Sequence, residues 1–238
     1  MTILLIGLAG FVAGPLLHGL AVQAGSDRTL HLELTCPRCG QDGKLFSIRC
    51  TCWRLRWREV ALGIAVGLAS AGMSWAVGMQ PILVPHLAMV AVTAILIVTD
   101  LDHFRIPNRI LYPGTALCLA LLVVAVIIER GQGSIVRALA GAGIYFGLLF
   151  LVFVAARGEG FGFGDVKLAA LIGLFTAFHD YRVLAWALMC TAILGAVPAV
   201  VLLAMGKGRK ASIPYGPPLI IGAWVAIIFS SMFSASLF

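Results

Sequence analysis

Eight apolar runs, separated by short stretches carrying charge, proline or glycine, take up most of this 238-residue chain. They lie near Thr2–Val22, Val60–Val77, Ile82–Thr99, Ile110–Ile128, Ala138–Ala156, Val166–Phe178, Val183–Met205 and Pro217–Leu237. About 20 apolar residues suffice for one helical crossing of a bilayer. The expected fold is therefore an all-α polytopic membrane protein with about eight transmembrane helices. The sixth run is short for a full crossing unless it tilts, thins the bilayer or packs inside the bundle. The first run has no basic leader and no clear cleavage site before the following loop. It reads as a retained helix rather than a signal peptide.

Charge is scarce, with 17 basic and 10 acidic residues making up 11% of the chain. Soluble domains carry about 25%, so an ordinary cytosolic enzyme and a disordered, nucleic-acid-binding tail protein are both excluded. The net charge of +7 is explained by where the basic residues fall. With the N-terminus outside, the loops near 23–59, 100–109, 157–165 (with Lys167) and 206–212 face inward and carry 14 of the 17. The outward side holds only Arg130, Arg137 and Arg182. That asymmetry follows the positive-inside rule, and no nucleic-acid partner is needed. The chain divides into a first helix (1–22), an inward loop (23–59) and a seven-helix membrane unit (60–238). Glycines such as Gly63, Gly67, Gly141 and Gly143 in the spans are expected to let helices approach closely.

The inward loop contains Cys36-Pro37-Arg38-Cys39 and Cys50-Thr51-Cys52. Two thiolate pairs this close can supply four tetrahedral ligands to structural zinc. On the cytosolic side disulfides are disfavoured, and a metal would help fold a loop with little core. The expectation is a zinc-ribbon-like loop with four cysteine ligands after the first helix. Cys118 and Cys190 sit in apolar runs and read as small buried hydrophobes.

Two acidic segments carry the chemistry. Asp100 directly follows the apolar run Ala94–Thr99 and precedes Leu101-Asp102-His103-Phe104-Arg105-Ile106-Pro107-Asn108. Asp102, His103 and Arg105 fit a membrane-interface turn. Asp100 at the end of an apolar run must be capping, paired or functional. Pro107 disfavours helix at Ile106, and Asn108 is the expected cap of the fourth helix. The second segment, Glu159-Gly160-Phe161-Gly162-Phe163-Gly164-Asp165, alternates glycine with phenylalanine before a short apolar helix. Such glycines permit left-handed turns and close backbone approach, and Asp165 falls at or near a helix N-terminus. The register of a GxGxxG phosphate loop is absent.

Two crossings separate Asp100 from Asp165, which returns the chain to the same membrane face, so the carboxylates can meet at the cytosolic end. Two adjacent carboxylates cannot easily both ionise, and such a pair shares a proton. One can act as base on water while the other donates to the leaving group, which is peptide hydrolysis without a covalent intermediate.

Gly162-Phe163-Gly164-Asp165-Val166-Lys167 resembles the GxGD signature of the prepilin peptidase family of membrane aspartyl proteases. Asp100, seven residues before Pro107, is similar to that family's first catalytic aspartate, and Ile213-Pro214-Tyr215-Gly216-Pro217-Pro218 with Gly222 and Ala223 to its final-helix motif. The cysteine pairs resemble the zinc tetrad of its long bacterial form. The resemblance implies an eight-helix inner-membrane endopeptidase with Asp100 and Asp165 as catalytic pair, supported by Pro107, Gly162, Gly164 and Lys167. Its substrates would be type IV prepilins or pseudopilins, cut on the cytosolic side after a glycine that precedes a hydrophobic helix. Long members of the family also methylate the new N-terminus with S-adenosylmethionine. Here the ten-residue spacing between cysteine pairs is short, and Gly14-Pro15-Leu16-Leu17-His18-Gly19 lacks the asparagine-containing stretch expected there, which leaves methyl transfer open. Two other classes compete: an ion-coupled transporter using the acidic pair, and a non-catalytic assembly scaffold with the zinc loop as partner surface. Both acids at one face, and no visible inverted halves, count against the transporter. The scaffold leaves the acidic pair unexplained.

Overall fold

A computed structural model describes residues 1–25, 34–35, 42–43, 57–129, 133–157, 162–204 and 214–230. Hydrocarbon offers the backbone no hydrogen-bond partner, so each apolar run closes its own amides as a helix. Eight helices result among the described residues: α1 (Thr2–Gly25), α2 (Trp57–Val77), α3 (Leu83–His103), α4 (Asn108–Ile128), α5 (Ile135–Ala155), α6 (Phe163–His179), α7 (Tyr181–Ala204) and α8 (Gly216–Ile228). Between α1 and α2 the helical pattern is interrupted by a two-residue antiparallel ladder. It joins β1 (Leu34–Thr35) to β2 (Asp42–Gly43), pairing Leu34 with Gly43 and Thr35 with Asp42. Five helices, α1 to α5, contain stretches long and apolar enough to cross a membrane, and Tyr181–Val197 and Gly216–Ile228 add shorter apolar stretches. The chain is a multi-pass membrane protein.

Helix boundaries differ from the sequence expectation at informative places. The sixth helix starts at Phe163 rather than Val166, which brings the glycine-rich segment into its first turn. Asn108 is not the cap of α4. Pro107 occupies that position in an extended conformation (φ −71°, ψ 122°) and makes no side-chain cap. Proline has no N–H to satisfy and its fixed φ suits a helix entry, which frees Asn108 for a contact across the bundle. α3 ends on Phe104, whose left-handed φ of 52° is uncommon for a bulky residue and turns the chain sharply toward α4.

Several ends meet on one side of the bundle. The Arg109 guanidinium at the start of α4 donates through Nε and Nη2 to the Ala24 carbonyl at the end of α1. Arg58 at the start of α2 reaches Asp102 at the end of α3. In the interior, Trp224 of α8 donates its indole N–H to Thr93 Oγ1 of α3 at 3.2 Å, and Tyr145 of α5 meets Thr191 of α7 at 3.1 Å. α6 runs through the middle, with twelve of its 17 residues buried, so it packs against protein nearly all round.

Glycine makes the closest helix pairs possible, but not at every glycine in a span. A Cβ on Gly63 would fall 2.9 Å from the Phe11 carbonyl oxygen, and one on Gly67 2.8 Å from that of Gly7, so α1 and α2 touch backbone to backbone. On α5, a Cβ on Gly141 would sit 2.7 Å from the Gly173 carbonyl of α6. Gly143 differs, since a Cβ there meets nothing within 4 Å, and its lack of a side chain serves no packing among the described residues. Gly173→Ala, whose new methyl would press on the Gly141 backbone and Tyr145 Cβ, is expected to cost about 1–3 kcal/mol. Gly143→Ala should be neutral or gain up to about 1 kcal/mol of helix propensity. Unfolding midpoints of the two variants in the same detergent check the contrast.

Candidate active site

Asp100 lies in the last turn of α3 and Asp165 in the first turn of α6, each only 5% exposed. A carboxylate this buried needs donors, and in both cases the donor is a backbone amide at the start of a helix, where four N–H groups have no intrahelical partner. Asp100 Oδ2 accepts from the Gly216 N–H, at the start of α8, at 3.0 Å. Asp165 Oδ2 accepts from the N–H of Gly162, the N-cap of its own helix, at 3.0 Å. This is the backward half of a capping box, in which an acidic third residue satisfies the cap's amide. Asp165 Oδ1 is buried without a hydrogen-bond partner among the described residues. The start of α6 seats on the Ile106-Pro107 turn that follows α3 and is tied to Asn108 through Lys167, so Asp100 and Asp165 stand at the same end of the bundle.

Glycines shape the approach. A Cβ on Gly216 would stand 2.7 Å from Asp100 Oδ2, so only a residue without one lets the amide come this near. A Cβ on Gly164 would stand 3.0 Å from Ile106 Cβ; this glycine seats the start of α6 against the Ile106-Pro107 turn. Gly162 does neither job by its lack of a side chain. Its φ is −84° and a Cβ there would meet its neighbours at no closer than 3.8 Å, so its contribution is the amide. Tyr215, the residue before α8, packs its ring on Gly195 of α7. Burial, together with the nearby charge of Asp165, pushes its phenol up from the usual tyrosine range.

Lys167 ties α6 to α4. Its Nζ donates to Asn108 Oδ1 at 3.0 Å and stands over the rings of Phe163 (5.0 Å) and Tyr112 (5.4 Å), a setting that suits a cation–π contact. Asp102, two residues beyond Asp100, is engaged elsewhere. Its Oδ1 meets Arg58 Nη1 at 2.7 Å in an exposed ion pair. Cys36, Cys39, Cys50 and Cys52 lie outside the described residues. Cys118 is fully buried and Cys190 half-buried, in keeping with a packing role. The role of the Gly216 amide was not foreseen from sequence. A Gly-Pro-Pro opening to an apolar helix is the signal that was there, since it marks free amides at a helix start.

Fold and site together define a polytopic helical membrane protein with two buried carboxylates converging where three helices begin or end. The chain belongs to the type IV leader peptidase family, whose model matches residues 87–205. It is similar to a prepilin leader peptidase/N-methyltransferase of Stutzerimonas stutzeri, 30% identical over 186 residues that cover 75% of this chain and 59% of that protein. One of Pseudomonas putida is 27% identical over 187 residues, covering 77% and 62%. One of Bacillus subtilis strain 168 is 29% identical over 163 residues, covering 68% and 61%. The chain thus spans less than two thirds of the length of these three relatives. No solved structure matches it.

If the Arg58–Asp102 pair is an exposed surface ion pair and no more, Asp102→Asn should change stability by less than about 1 kcal/mol. Thermal unfolding in detergent at low and at high salt reads this out, and a larger, salt-insensitive loss would give Asp102 another role.

Proposed function

We propose that this chain is an aspartic endopeptidase of the bacterial inner membrane that removes the leader from type IV prepilins or pseudopilins at the cytosolic face. The observation that carries the reading is that Asp100 and Asp165, each buried and each held by one glycine amide, stand at the adjoining ends of α3 and α6. One carboxylate takes a proton from water as its oxygen attacks the scissile carbonyl carbon. The other, protonated, donates to the leaving amide nitrogen as the C–N bond breaks. The products are a leader with a free carboxylate and a mature chain with a free amine, and the pair has exchanged one proton between its members. The amides of Gly216 and Gly162 orient Oδ2 of each acid. Asp165 Oδ1, which accepts no hydrogen bond from the described residues, is the oxygen left to engage water or the peptide. The inward orientation rests on the basic loops that flank this end of the bundle, and the substrate class on the family and on its similar proteins.

Structural zinc on Cys36, Cys39, Cys50 and Cys52 is part of the same reading, on the chemistry of four close thiolates. S-adenosylmethionine would supply a methyl group for the new N-terminus in a second activity that this chain either keeps or has lost.

The test is mass spectrometry of a purified prepilin after incubation with the enzyme and S-adenosylmethionine, which reports leader loss and added methyl mass together. Asp100→Asn and Asp165→Asn should each lower leader removal about 1000-fold or more. Full removal by either would reject the assignment. Gly216→Ala displaces the Asp100 carboxylate and should lower kcat roughly 10- to 100-fold, with KM little changed. Metal analysis of the folded, reduced protein should find about one zinc per chain, lost when Cys36 and Cys39 are both replaced by serine.

A further inference from the structure

At the end of the bundle opposite the aspartates, two histidines that the reaction does not use face each other. His86 lies in the first turn of α3 and is fully buried, and His179 is the last residue of α6. Their Nε2 atoms are 2.8 Å apart. His86 Nδ1 is 2.7 Å from the Ile82 carbonyl, and since a carbonyl only accepts, Nδ1 carries a proton. In the neutral pair His86 Nε2 is therefore the acceptor and His179 Nε2 the donor, which leaves one arrangement of protons. Phe175 stands edge-on to the His86 ring at 5.1 Å, and Phe178 edge-on to that of His179 at 5.6 Å. The backbone under His179 is held as well. Arg137 of α5 donates to the carbonyls of Ala177 (2.8 Å), Phe178 (2.7 Å) and His179 (2.6 Å), closing the C-terminal end of α6, which otherwise has no intrahelical donors.

The same two helices carry the aspartates at their other ends. His86 precedes Asp100 by 14 residues on α3, and His179 follows Asp165 by 14 on α6. Each spacing is about 21 Å of helix, so antiparallel α3 and α6 present a histidine pair at one end and an aspartate pair at the other in matched register. Helices are stiff along their axes, and apolar contact between them has no preferred direction. A hydrogen bond has one: a slip of about 1.5 Å across the line of a 2.8 Å bond stretches it to the end of the useful range. The same slip would move one carboxylate past the other, and misplacement by about 1 Å can cost 100-fold in rate.

We propose that the His86–His179 hydrogen bond is a positioning pair that sets the axial register of α3 against α6 and thereby the juxtaposition of Asp100 with Asp165. It rests on the proteolytic reading above for its effect on rate, though not for its effect on geometry.

The test compares three proteins: the wild type, His86→Leu/His179→Leu, and His86→Gln, whose Oε1 can accept the same His179 proton. In the double variant no buried polar side chain of the pair is left unpaired, so its unfolding midpoint should stay near that of the wild type. Its kcat for leader removal should nevertheless fall about 10- to 100-fold with KM within about twofold. His86→Gln should keep kcat within about threefold. A second arm needs no activity. Asp100→Cys/Asp165→Cys is treated with a short bifunctional thiol reagent in each background, and the linked 100–165 peptide is quantified by mass spectrometry. Its yield should fall severalfold with the leucine pair and return with His86→Gln. Wild-type kcat and cross-linking in the leucine pair would overturn the proposal, as would a kcat loss that only follows loss of folded protein. If the leucine pair does not fold, His86→Met replaces it, similar in shape to glutamine but without the acceptor. A wild type that removes no leader would reject the proteolytic reading, and the cross-linking arm alone would then decide the role of the histidines.

Discussion

The hydrogen bond from the Gly216 amide to Asp100 joins residues 116 positions apart, and much of the architecture follows from it. A carboxylate at the end of an apolar helix is costly unless something donates to it. The donors least expensive to supply in a membrane bundle are the amides that every helix start leaves over. Drawing the first turn of α8 onto the last turn of α3 satisfies both at once. Asp165 solves the same problem with the cap of its own helix. The two solutions place three helix termini around one small volume, and this is why the site sits at an end of the bundle and not in its middle.

The matched family segment, residues 87–205, contains both aspartates but stops before Gly216. The part of the site that holds Asp100 in place therefore comes from outside the stretch by which the chain's membership is established. Asp102, His103 and Arg105 lie within that stretch and just beyond Asp100, yet all three are exposed, and Asp102 is engaged with α2. Proximity in the chain says little here. Burial and the available donors separate Asp100 from its neighbours.

Much of this could be read from the residues alone, for identifiable reasons. Hydrocarbon makes apolar length a strong signal, so the helices fall close to the eight runs. Parity of crossings put Asp100 and Asp165 on one side without knowledge of any contact. Less legible were features in which the backbone is the partner. A backbone amide has no signature in the sequence, so neither the Gly216 donor nor the Gly162 cap could be assigned to its carboxylate. Asn108 looked like a cap because asparagine often is one; Pro107 fills the position because its geometry is already set. Gly141 and Gly143, two residues apart on α5, look alike in sequence, but helical rotation turns one onto α6 and leaves the other facing away. The histidine pair was hidden for a similar reason. Each partner is an isolated residue near the end of an apolar run, and only the antiparallel course of two helices far apart in sequence brings them together.

α6 holds Asp165 yet is almost entirely enclosed by its neighbours. At 17 residues it is about 26 Å long, shorter than a typical hydrocarbon core of about 30 Å. A helix exposed to lipid would have to accommodate that difference by tilting or by thinning the membrane around it. An enclosed one does not meet the acyl chains, so its vertical placement is inherited from the longer helices around it. The level of Asp165 is thus decoupled from local lipid thickness, and membranes of different composition present the same carboxylate at the same height relative to the surrounding bundle.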